Sequence, residues 1–147
     1  MASLTLEQSA CIVDAALSHA RGLGLNPLTV AVLDSGGHLV AFKREDGSGI
    51  LRPEISHGKA WGALGMGVGS RALAARAVAA PGFFVAIAST SGGRLIPVPG
   101  GVLIRDASGC LVGAVGISGD LPDKDEACAI AGIERAGLVP DPGQASN

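Results

Sequence analysis

Arg44, Glu45, Asp46, Arg52, Glu54, His57 and Lys59 stand within one short stretch of a chain in which only 16% of residues are charged. Glu54 and His57 are three residues apart, so on a helix they share a face. A histidine titrates near neutrality, and a carboxylate beside it can orient it as a general base. The same pair could begin a metal site, but no second histidine motif supplies further ligands. Arg44 offers the planar fork that binds a carboxylate through two hydrogen bonds, with Asp46 and Lys59 nearby. A second polar group lies far along the chain. Gly100 and Gly101 precede an apolar run, Ser118 and Gly119 close another, and Asp123, Asp125 and Glu126 follow. Acidic residues at a helix start are favoured by the helix dipole alone. A buried carboxylate there would have a raised pKa and could move protons. Buried polar groups are costly unless paired. The two groups together therefore predict one wet cleft, with Arg44, Asp46, Glu54, His57 and Lys59 on one side. Gly100, Gly101, Ser118, Gly119 and Asp125 form the other. In that cleft Arg44 anchors an anion, and His57 with Glu54 or Asp125 handles protons.

The elements that must position these residues follow from local signals. Thr5 with Gln8 three residues later is a capping box, and Leu6, Val13, Leu17 and Ala20 give a helical stripe over 5–23. Residues 28–34 and 38–43 read as strands joined by Ser35-Gly36-Gly37, and 102–106 and 110–117 read as strands joined by Ala107-Ser108-Gly109. The two hairpins match: Asp34 with Asp106, Gly37 with Gly109, Leu39-Val40 with Leu111-Val112. In each, the Asp side chain folds back on the turn and the Gly takes positive φ. Residues 54–79 read as two helical pieces broken between Gly65 and Ser70, with Pro53 in the first turn and Pro81 as the stop. The apolar run 83–88 reads as a central strand, and 124–136 as the last helix. Gly92-Gly93 turns the chain, so that Arg94 could reach a pocket or a neighbouring subunit. The order is α-β-β-α-α-β-β-β-α, an α+β domain with a five-stranded antiparallel sheet flanked by helices. Residues 1–139 form that single domain, and 140–147 read as a flexible tail.

Composition narrows the function classes. The chain has 147 residues, is 48% hydrophobic and has a mean hydropathy of +0.43. No apolar window reaches membrane-spanning length, and no basic region with an apolar core opens the chain as a signal peptide would. The apolar excess reads instead as a subunit interface, and Gly58-xxx-Gly62 and Gly65-xxx-Gly69 permit close helix approach, so a homo-oligomer is expected. A net charge of −2 with 3% aromatics excludes the usual nucleic-acid footprint. Cys11, Cys110 and Cys128 read as reduced, buried, structural thiols of a cytoplasmic protein. The glycines at 113–119 lack the dinucleotide-binding spacing. Ser118 lacks a nucleophile elbow.

The segment Pro99-Gly100-Gly101-Val102-Leu103-Ile104, then Gly113 to Asp120, then Asp125-Glu126, resembles the GlcG/HbpS family of haem-degrading or haem-binding domains, related to the C-terminal domain of PduO. Arg44, Asp46 and Lys59-Ala60 also match that family's pattern, whereas Arg52, Pro53, Glu54 and His57 depart from it. The resemblance implies a profilin-like fold, a pocket shaped by Gly100-Gly101 and Ser118-Gly119 and closed by Asp125 or Glu126, and His19 as a candidate axial haem ligand. The haem would be non-covalent, since no Cys-x-x-Cys-His occurs, with His19 its first ligand candidate and His57 its second. The leading function is thus a small-molecule or haem-binding protein with an anionic ligand. The alternative is an enzyme that transfers protons on a small carboxylated metabolite of a catabolic pathway, as an isomerase, lyase or hydrolase. A purely structural subunit is the third reading, supported only by apolar content.

Overall fold

The computed structural model describes residues 3–143. Its elements are α1 (Leu6–Gly22), β1 (Thr29–Asp34), β2 (Leu39–Arg44), α2 (Arg52–Met66), α3 (Ser70–Ala79), α4 (Pro81–Thr90), β3 (Gly101–Arg105), β4 (Leu111–Ser118), α5 (Pro122–Arg135) and β5 (Val139–Asp141). The strands form one sheet in the order β2-β1-β4-β3-β5, with every pairing antiparallel. This is the expected α+β architecture with five strands. The capping box at Thr5 is present, with both reciprocal bonds at 3.0 Å. The break after α2 falls at Gly67, whose φ of 73° caps the helix in the left-handed region.

Two elements differ from the sequence reading. The run 83–88 is not a central strand; it lies inside α4, where only Phe84 is buried. Pro81 does end α3, but it also opens α4 at a position where a missing N–H costs nothing. A short apolar run cannot by itself distinguish a strand from a helix. The fifth strand is instead β5, at an edge where a proline is tolerated. Pro140 and Asp141 pair with Ile104 and Leu103, so the expected tail at 140–147 begins as sheet. Residues 144–147 of that tail lie outside the described residues.

Alternation along the strands builds two layers of core. Val30, Val32, Val102, Ile104, Val115 and Ile117 point to one face, where α1 and α5 cover them with Ile12, Val13, Cys128 and Ile133. Leu33, Leu103 and Ala114 point to the other, where Ala60 and Ala63 of α2 meet them. The approach of α2 is very close. Gly101 and Gly116 are cross-strand partners. A Cβ on Gly116 would overlap the Ser56 carbonyl, and one on Gly101 the Lys59 carbonyl. These two glycines seat α2, and with it His57 and Lys59, directly on the sheet.

The matched hairpins behave alike. Asp34 Oδ1 accepts from the N–H of Gly36 and His38 at 2.9 and 3.0 Å, and Asp106 Oδ1 from those of Ser108 and Cys110 at 2.9 Å. Gly37 and Gly109 have φ of 82° and 88°. Hydrogen bonds hold both carboxyl groups below their ordinary pKa, chiefly the one from the His38 N–H at Asp34 and the one from the Ser108 hydroxyl at Asp106. Each hairpin also carries a bulge, with Val40 and Val112 outside the pairing register.

Candidate functional site

A cleft of about 620 Å³ opens between β2, the start of α2 and the segment 92–96. Its walls are apolar: Leu39 and Phe42 from β2, Leu51 and Ile55 from α2 and its approach, and Ile96. Leu39 and Phe42 are three residues apart, a spacing that would normally put them on opposite faces of a strand. The bulge at Val40 brings both to the α2 side, opposite Leu33 and Ala31. Three polar side chains reach this cleft, namely His57, Glu54 and Arg94. His57 is half-buried. Burial and then the charge of Arg94 lower its pKa below the ordinary 6.5, so the imidazole is neutral at pH 7 and its lone pair is free for a ligand. The 94–96 segment is fixed against α2 by the Ile96 N–H, which donates to the Gly58 carbonyl at 3.2 Å. Glu54 makes no hydrogen bond to His57, so the two lack the contact of a base with its orienting group. Among the described residues no group of three His, Cys, Asp or Glu side chains stands close enough to hold a metal ion.

The single cleft expected from the sequence is absent, because its members separate into three places. Arg44 and Asp46 line a different cleft of about 500 Å³, beside Leu17, Arg21 and Pro27. There the Arg44 Nη1 donates to the Ser48 carbonyl at 2.9 Å, and Arg21 pairs with Glu45 at 3.1 Å. Lys59 and Asp125 are interior. Lys59 Nζ donates to the Ile117 carbonyl at 2.8 Å and to Asp125 Oδ2 at 3.2 Å, while Asp125 Oδ1 accepts from the Asp120 N–H at 3.0 Å. Burial is the main influence on both, raising the Asp125 pKa and lowering that of Lys59, with each partner's charge opposing it. The pair ties α2 to α5 across the end of the sheet, and Asp125 lines neither of these two clefts. Glu126 receives the Arg71 Nε at 2.9 Å and holds α5 to α3. Ser118 Oγ accepts from Arg52 Nη1 at 2.9 Å.

The glycines of the second group are packing positions. A Cβ on Gly100 would come within 2.8 Å of Lys59 Nζ, and one on Gly119 would overlap the Pro27 carbonyl. The Gly101 N–H is already bound to Ser70 Oγ at 2.7 Å. His19 lies in a third cleft of about 750 Å³ between α1 and α5, with Cys11, Asp14, Ser18 and Arg135, and is exposed. The thiols are not alike: Cys128 is buried with a pKa raised to about 11 by desolvation, Cys11 is partly buried, and Cys110 is exposed rather than interior.

The model of the haem degrading protein HbpS-like family matches residues 4–134. The chain belongs to the HbpS-like family. Among solved structures it is similar to HbpS itself, at 29% identity, a TM-score of 0.78 and coverage of 91% of this chain and 90% of that one. It is similar to a double mutant of HbpS from Streptomyces reticuli, at 28% identity, a TM-score of 0.78 and coverage of 91% and 87%. The fold is also that of PduOC, crystallised as a haem complex, at 24% identity, a TM-score of 0.84 and coverage of 93% and 97%. No curated protein matches the chain.

For this HbpS-like chain, sequence reasoning singled out Glu54, His57 and Arg94 but missed the apolar walls around them. The signal was faint. Ile50 and Leu51 are apolar residues inside a polar loop, and both are exposed, at 89% and 65%. Which face Leu39 and Phe42 would share depended on a bulge that strand periodicity does not reveal.

Proposed function

We propose that this protein binds haem, non-covalently, in the cleft between β2 and α2, where His57 would hold the iron. The observation that carries the reading is the donor set of that cleft. A neutral imidazole stands among Leu39, Phe42, Leu51, Ile55 and Ile96, with one guanidinium at the margin. Haem needs these things: a basic nitrogen for iron, a flat apolar enclosure for the macrocycle and a cation for its carboxylates. Family membership and the similarity to HbpS support the same ligand.

Within this reading the work of the chain is to hold and enclose. Burial keeps the proton off His57, so that it presents a lone pair at neutral pH. The apolar walls exclude water from the face they cover. The seating of α2 on Gly101 and Gly116 fixes the helix that carries His57. Bound iron would supply electron-transfer and oxygen chemistry that no side chain offers. His19, the first ligand candidate from the sequence, stands second in this reading, supported by its own cleft between α1 and α5.

Titration with haemin tests the proposal. A saturable shift of the haem absorption band is expected in the wild type and in His19→Ala, with loss of the shift in His57→Ala. A wild-type spectrum preserved in His57→Ala and lost in His19→Ala would move the site to the α1–α5 cleft.

We further propose a homo-oligomer. The support is the exposed apolar surface of α3 and α4, where Val78, Phe83 and Val85 are 85%, 53% and 71% exposed. The Gly58-xxx-Gly62 motif does not support it, since both positions pack against Arg94, Leu95 and Ile96 of the same chain. Three unpaired thiols support a reducing, cytoplasmic setting.

A further inference from the structure

Arg94 is exposed at the end of the turn that follows α4. Gly92 and Gly93, at φ of 66° and 79°, turn the chain after α4 and carry Arg94 back over α2. Its guanidinium carbon lies 4.1 Å from the centroid of the Trp61 ring. Trp61 is one helical turn beyond His57. Arg94 Nε donates to the Ser91 carbonyl at 3.0 Å. The ring below and the Nε bond restrict the guanidinium, yet among the described residues no carboxylate pairs with it. Its terminal N–H groups therefore remain available, at the margin of the apolar cleft and beside His57. Glu54 also lines this cleft, but it is exposed in the first turn of α2 and forms no ion pair with Arg94.

We propose that Arg94 makes the cleft selective for amphipathic ligands that carry a carboxylate. The carboxylate sits on the guanidinium, and the apolar body lies against Leu39, Phe42 and Ile96. A planar guanidinium held on a ring and short of a partner suits a carboxylate in two-pronged geometry. Ordering costs little there, because the side chain is already positioned.

The inference rests on the proposed haem cleft, and its experiment separates the two. Haemin and its dimethyl ester are titrated into the wild type, Arg94→Gln and Arg94→Lys. The wild type should prefer the free acid by about tenfold or more, the usual range for a hydrogen bond to a charged group. Arg94→Gln should bind acid and ester alike, and Arg94→Lys should keep part of the preference. Equal wild-type affinity for acid and ester, or an undiminished preference in Arg94→Gln, overturns the selectivity. A second arm uses no haem: sodium benzoate is added while the Trp61 indole N–H resonance, beside the Arg94 guanidinium, is followed by NMR. It should shift saturably in the wild type and stay fixed in Arg94→Gln. If haemin does not bind but benzoate shifts the Trp61 resonance through Arg94, the haem reading fails and the carboxylate site stands. If benzoate leaves the wild-type resonance unmoved, the carboxylate site fails.

Discussion

At the scale of single residues, the protein separates ligand chemistry from structural charge. His57 has a pKa below 6.5 because burial and Arg94 both disfavour its cation. Protonation and iron ligation compete for the same electron pair. Haemin affinity should therefore be flat above pH 6.5 and fall with a midpoint below that value, as read by absorption titrations across pH. The stability of the free protein should follow the same sign. The folded state favours neutral His57, so this contribution is complete above the ordinary value and lost as pH falls through the lowered one. His57→Gln should flatten that part of the acid limb in urea unfolding curves. The Lys59–Asp125 pair answers differently, since both side chains are at most 3% exposed. Removing one partner strands the other in the interior. Lys59→Met should cost about 3–5 kcal/mol by chemical denaturation. Lys59→Met combined with Asp125→Asn should cost less than the sum of the two single changes, because no unpaired charge is left.

At the scale of elements, glycine has two uses that mutation can tell apart. Gly109 has φ of 88° and open space around it, so an alanine there meets only backbone strain. The cost should be about 1–2 kcal/mol. Gly116 lies in β4, where a Cβ would overlap the Ser56 backbone. Gly116→Ala must push α2 off the sheet, so it should destabilise far more than Gly109→Ala and should also weaken haemin binding. Equal melting temperatures for the two variants would contradict this account of how α2 is seated. The same contrast explains what was legible beforehand. The hairpins could be read because Asp34, Gly37, Asp106 and Gly109 act within their own turns. The capping box at Thr5 and the break at Gly67 are equally local. The partnership of Lys59 with Asp125 spans 66 positions, and no local pattern encodes it. The shared face of Leu39 and Phe42 depends on a one-residue bulge that inverts the period. The run 83–88 misled because an apolar segment can be apolar for a face that the chain itself does not cover.

At the scale of the molecule, one face of the sheet is closed by α1 and α5, and the other is only partly closed by α2. Space left beside β2 becomes the cleft, and α3 with α4 presents uncovered apolar side chains. Light scattering at micromolar concentration should give a multiple of the 14.5 kDa chain mass, and Phe83→Asp with Val85→Asp should lower it. A wild-type mass of one chain would remove the oligomer from the account. Whether His57, in the cleft between β2 and α2, holds the iron is decided by a crystal structure of the protein with haemin bound. Iron bonded to a ring nitrogen of His57 is expected, with the macrocycle against Leu39, Phe42 and Ile96. Iron bonded to His19 in the α1–α5 cleft, or haem seated where His57 does not reach it, would contradict the proposal.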